Sequence, residues 1–122
     1  MEKLFAITGG VSALLGVVAG AFGAHGLRDR ISSEMLEIFE TAVRYQMYHA
    51  FGLFFVAWAV TRWPESIHPA AGWAFIAGTV LFSGSLYVLS LTGVRWLGAV
   101  TPLGGVAFII GWLLLVYGIY RA

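Results

Sequence analysis

Long runs without charge alternate with short polar interruptions along this chain, and their spacing predicts four membrane-spanning helices. No Asp, Glu, Lys or Arg occurs from Leu4 to Leu27, a run long enough to cross a hydrocarbon core of roughly 30 Å at 1.5 Å per residue. The second charge-free run, Tyr45 to Thr61, is short for a crossing. Its span is therefore drawn over about residues 43–61, with Arg44 just inside the interface and its charge drawn outward. The third and fourth spans fall at about 70–91 and 96–120. Lys3 followed by an apolar run and Ala19-Gly-Ala21 also fits a secretory leader, but the run continues past Ala21 and carries glycines suited to permanent helix packing.

Between the first two spans lies Arg28-Asp-Arg-Ile-Ser-Ser-Glu-Met-Leu-Glu-Ile-Phe-Glu40, the one extended hydrophilic segment. Ser32 or Ser33 can cap a helix whose first turn holds Glu34. Met35, Leu36, Ile38 and Phe39 then make an amphipathic connection that leads into the second span. Glu40 precedes Arg44 by four residues, the favourable order for a helical ion pair. Trp63-Pro-Glu-Ser-Ile-His-Pro69 reads as a turn, with His68 exposed in it. Pro102, one turn into the fourth span, is expected to bend it.

Composition agrees with the pattern. Of 122 residues, 60% are hydrophobic and 11% charged, and the mean hydropathy is +0.87, so the fold class is all-α, an integral membrane four-helix bundle in one domain. A net charge of +1 gives no basic face for nucleic acid. There is no cysteine, which removes disulfides, thiolate metal sites and cysteine nucleophiles together. The 16 glycines suit close helix approach in lipid, and Gly104, Gly111 and Gly118 recur every seventh residue as a packing seam. Lys3, Arg62 and Arg121 against Arg28, Arg30, Arg44 and Arg95 is too even a division for basic residues to fix the orientation.

The candidate chemistry concentrates in Gly23-Ala-His-Gly-Leu27 and Phe39-Glu-Thr-Ala-Val-Arg-Tyr-Gln-Met-Tyr-His49. His25 leaves the first span and His49 enters the second on the same membrane face. Polar groups at membrane depth cost several kcal/mol, on the order of a lost hydrogen bond each, unless satisfied internally. The two imidazoles and Gln46 are therefore expected to point into the bundle and to meet, with Glu40, Arg44 and Tyr45 around them. Such a group could relay protons or hold haem, a metal or a quinone, or it could be interhelical glue. Two histidines are few for a metal, which needs three or four ligands, and no cofactor is assigned. No catalytic triad, phosphate loop or deaminase signature is present, so no catalytic residue is named.

Those two motifs, with Gly-Ser-Leu-Tyr87 and Thr-Pro-Leu-Gly-Gly105 later in the chain, resemble the DUF423 family, also called UPF0382 membrane proteins and related to a group of small eukaryotic transmembrane proteins. The likeness covers essentially the whole chain. It implies a small multi-pass protein of the cell membrane and supplies no activity. The expectation is a non-enzymatic accessory or interaction protein, self-associated or held by a membrane partner. The alternative is a small redox, quinone-binding or proton-handling protein that uses His25 and His49.

Overall fold

The computed structural model describes residues 1–122, all of them in helices or the short turns between helices. Helix α1 (Glu2–Phe22) runs on through a π turn, Gly23–Leu27. Helix α2 is Ser33–Arg62, the longest at 30 residues. Helices α3 (His68–Gly78) and α4 (Gly84–Thr92) are joined without a break by a second π turn, Thr79–Ser83. A 3₁₀ turn at Arg95–Ala99 precedes α5, Thr101–Arg121.

Three of these rods are long and apolar enough to cross a membrane: Glu2–Leu27, His68–Thr92 and Arg95–Arg121. In helix α2 the amphipathic segment runs on into the apolar stretch without a break, as expected from its cap and pattern. It forms the first turns of α2 itself, so Glu34, Glu37, Glu40 and Arg44 all lie on the same helix as the apolar stretch. Ser32 caps this helix as expected, its Oγ accepting the Met35 N–H at 3.1 Å. The true connection shrinks to the few residues around Arg28–Ser32, and Phe39, inside the amphipathic part, is 3% exposed against Gly23 and Tyr87.

Glycines set the register of the bundle. Along α1, Gly9 faces Ala50 and Leu53, Gly16 faces Met47, Gly20 faces Val43 and Gly23 faces Phe39. The falling numbers on α2 show that the two helices are antiparallel. Along α5, Gly104 lies on Phe82, Gly111 on Phe75 and Gly118 on His68. Both sides step by seven, so the seam read from the sequence locks α5 antiparallel to the α3–α4 rod inside one chain. At the three α5 contacts a methyl group would overlap the neighbour, which is why glycine stands there.

The largest apolar cluster gathers Phe5, Leu53, Val56, Ala71, Phe75, Phe108 and Leu115, where the ends of α1 and α5 nearest the termini converge on α2 and α3. Gly93 closes α4 with φ +76 and donates to the Leu89 carbonyl at 2.7 Å, a left-handed cap that suits glycine. Pro102 stands at the start of a helix and not one turn into it. Helix α5 begins at Thr101, which puts Pro102 in its first turn, where the missing N–H has no helical partner to lose.

Candidate functional site

Helix α2 turns two polar side chains, Gln46 and His49, inward on adjacent faces. Four residues after Tyr45, a little over one turn, comes His49, and its Nδ1 lies 2.7 Å from the Tyr45 carbonyl oxygen. A carbonyl only accepts, so Nδ1 holds the proton. The other nitrogen, Nε2, then has a lone pair, and it accepts the indole N–H of Trp112 on α5 at 3.0 Å. The ring is 4% exposed and lies flat on Phe108, with centroids 3.5 Å apart and planes within 6°. His49 is therefore a neutral imidazole of one tautomer with both nitrogens engaged. Tyr45 stacks beside it at 6.4 Å.

Gln46, one residue after Tyr45, turns to the other face. Its Nε2 donates to the Ser12 carbonyl of α1 at 2.8 Å, and its Oε1 accepts the Tyr87 hydroxyl of α4 at 2.6 Å. Ser83 adds a third tie, donating to the Ala42 carbonyl at 2.7 Å. Beyond α2, Ser85 and Thr101 share a bond of 2.7 Å between α4 and α5. Each of these joins residues far apart in sequence, so the hydroxyls and the amide serve as cross-links between helices.

The six residues singled out from the sequence do not form one cluster. Tyr45 and His49 stand together, and Gln46 lies on the neighbouring face. Glu40 and Arg44 point outward. They do not pair: Arg44 Nη2 donates to Thr41 Oγ1 at 3.0 Å, and the ion pair at this end joins Arg95 to Glu34 at 3.3 Å. His25 is exposed and far from His49. Because Gln46 is level with Ser12, the two imidazoles are separated by some 13 residues of helix, about 20 Å at 1.5 Å each. The expected meeting fails because α2 starts at Ser33, which carries His49 four turns down the helix, well beyond the exit of α1.

His68 is also corrected. It is 0% exposed, not a loop histidine, since Pro69 starts α3 at His68 itself. The ring is tucked beside Trp63 at 5.6 Å and against Gly118, with Ser66 Oγ on Nδ1. Nε2 has no partner in hydrogen-bond geometry. Trp112, Tyr87 and Ser83 are the participants that sequence reasoning missed; the Gly-Ser-Leu-Tyr87 motif was the signal for Tyr87. Three acidic or imidazole side chains nowhere come close enough to hold a metal ion together.

Against known proteins, the family model described as "Protein of unknown function (DUF423)" matches residues 19–105. The UPF0382 membrane protein YwdK of Bacillus subtilis (strain 168) is 53% identical over 93 residues, 75% of this chain and 76% of its own length. The UPF0382 membrane protein SSP2132 of Staphylococcus saprophyticus is 48% identical over 120 residues, 98% of both chains. No solved structure matches.

Proposed function

The chain belongs to the DUF423 family, the UPF0382 membrane proteins, and we propose that it is a four-span protein of the cell membrane that acts as a non-enzymatic accessory or interaction subunit. The support for a fourth span is geometric. Helix α2 lies antiparallel along α1 from Phe39 to Leu53, so if α1 crosses, α2 has no other course. The outward face of its later half presents Phe51, Phe55 and Trp58, which suit hydrocarbon and its interface. Arg62 ends the helix at the aromatic belt, 5.2 Å from the Trp63 ring.

The observation that carries the non-enzymatic reading is the state of His49. Both of its nitrogens bond within the protein, leaving no lone pair free for haem or a metal and no N–H free to donate to a quinone oxygen. The competing reading needs His25 and His49 on one ligand, and about 20 Å of helix lies between them. Meanwhile the outward faces of α1 and α5 are broad and apolar, with Ile7, Leu14, Val17, Leu103, Ile109 and Leu113 all exposed. Such faces suit lipid, a second copy or another membrane subunit.

Affinity capture of the full chain from native membranes in a mild detergent tests the role. Stoichiometric recovery with one membrane complex, or as a defined homo-oligomer, is the expected result. Recovery of a monomer with haem absorbance or a stoichiometric metal, lost on His49→Ala, would overturn it.

A further inference from the structure

The loop between α2 and α3 and the last turn of α5 enclose a cavity of about 290 Å³ at the end of the bundle where both termini lie. Glu65, Ser66, Ile67, Tyr117, Gly118 and Arg121 are among the residues that line it. Arg62 ends α2 and His68 starts α3, so the loop residues are held between two helix ends. On α5, Tyr117 and Arg121 are four residues apart and stack on one face. The floor is fixed as well. Ser66 Oγ bonds His68 Nδ1 and accepts the His68 N–H at 3.4 Å, and the His68 ring, 0% exposed, rests on Gly118.

Glu65 and Arg121 bring opposite charges to this cavity, and no ion pair joins them: the pairs of the chain are Met1 with Glu2 and Arg95 with Glu34. Two opposite charges that share a cavity without meeting suit a ligand that carries both. An anion alone is drawn by Arg121 and repelled by Glu65, and a cation alone the reverse. A phosphate accepts from the Arg121 guanidinium and the Tyr117 hydroxyl, while a primary ammonium offers N–H donors to the Glu65 carboxylate. A quaternary ammonium has no N–H to give and is held instead by cages of aromatic rings. Tyr117 is the one aromatic ring on these walls. A headgroup with a further carboxylate brings a like charge to Glu65.

Depth decides how the ligand lies. The rods His68–Thr92 and Arg95–Arg121 are long and apolar enough to cross a membrane, and both end at this cavity, which puts it at the interface. Tyr117 is a little over one turn, about 6 Å at 1.5 Å per residue, nearer the bilayer centre than Arg121, and Glu65 stands in the loop outside. A phosphate between Arg121 and Tyr117, with its ammonium out at Glu65, leaves the acyl chains beside Tyr117 and Ile67, 53% and 40% exposed, and directed into the hydrocarbon. The lipid is then upright. The volume equals that of some ten waters at roughly 30 Å³ each, room for a headgroup and not for its chains.

We infer that this cavity binds the headgroup of a phospholipid that ends in a primary ammonium, a phosphatidylethanolamine, with Arg121 and Tyr117 on its phosphate and Glu65 on its ammonium. Beside hydrocarbon each of these contacts is stronger than in bulk water. The inference needs α3 and α5 to lie in the bilayer and is independent of the subunit reading.

The test is native mass spectrometry of the full chain, released from mild detergent with equimolar phosphatidylethanolamine, phosphatidylcholine and phosphatidylglycerol of matched acyl chains. The ethanolamine lipid should be retained about tenfold over either of the others, the effect of one charge-assisted hydrogen bond. Glu65 and Arg121 are exposed, so substitutions there should leave the fold intact. Glu65→Gln should abolish the preference over phosphatidylcholine and raise phosphatidylglycerol, which then meets Arg121 alone. Arg121→Gln should lower all three lipids by about three- to tenfold, because the phosphate is common to them. Glu2→Gln, at the same end of the bundle and outside the cavity, should change nothing. Equal retention of the three lipids overturns the inference. So does a preference that survives Glu65→Gln, or one that Glu2→Gln removes as fully. Displacement of the lipid by free phosphoethanolamine at the same concentration assigns the cavity to a soluble zwitterion and overturns it as well.

Discussion

The Tyr87 hydroxyl donates to Gln46 Oε1 across 2.6 Å while the nitrogen of the same amide donates to the Ser12 carbonyl at 2.8 Å. One side chain thus ties α4 to α2 and α2 to α1, and the amide is polarised from both ends.

Removing either partner should be felt by the other. In a double-mutant cycle of Tyr87→Phe and Gln46→Leu, followed by unfolding in mixed detergent micelles, the expected coupling lies between about 0.6 kcal/mol, the average for membrane hydrogen bonds, and about 1.7 kcal/mol, the upper end. Strict additivity of the two single effects would mean that the bond does not form.

Glycine substitutions should sort by the ladder. A Cβ at Gly104 runs into the backbone of Phe82, whereas one at Gly10 meets nothing within 4 Å. Gly104→Ala should therefore destabilise by about 1–3 kcal/mol through overpacking. Gly10→Ala should be neutral or stabilise by up to about 1 kcal/mol, because alanine loses less backbone entropy in a helix. Equal effects of the two in the same unfolding assay would contradict the packing of α5.

The histidines should separate sharply. His25 is exposed, so His25→Ala is expected to change stability by no more than about 0.5 kcal/mol. His68 is fully buried between Trp63 and Gly118, and His68→Ala should cost about 2 kcal/mol or more by opening a cavity. A labile His25→Ala protein beside an unaffected His68→Ala protein would reverse the assignment.

Much of this was legible in the chain. The charge-free runs gave the three rods long and apolar enough to cross a membrane, Ser32 gave the cap of α2, and the seven-residue glycine spacing gave the face by which α5 packs. The polar cluster was less legible, because residues were grouped by nearness in sequence to a loop. Helical phase and depth decide contacts instead: one residue takes Tyr45 to Gln46 and turns the side chain by about 100° to a neighbouring face, toward different helices. Trp112 lies 63 positions from its partner His49, and nothing local in the sequence marks such a pairing. His68 was read as exposed for the same reason, since a turn composition does not reveal that α5 closes over it.

Topology can be read directly, because the chain contains no cysteine and single cysteines can be introduced cleanly. With four crossings, Glu2→Cys, Glu65→Cys and Arg121→Cys should react with an impermeant maleimide from one side, and Asp29→Cys from the other. Positions 29 and 65 on the same side would show that α2 does not cross.

The central claim is that His49 is a bond between helices and not a ligand site, and the most direct measurement is the imidazole nitrogen spectrum of histidine-labelled protein, with His49→Gln to assign the signals. The account predicts a neutral ring with the proton on Nδ1 and an unprotonated Nε2 that accepts a hydrogen bond, the Nε2 signal moving when Trp112→Phe removes the donor. A ring protonated at Nε2, or an Nε2 signal indifferent to Trp112→Phe and shifted by a bound metal or haem, would contradict it.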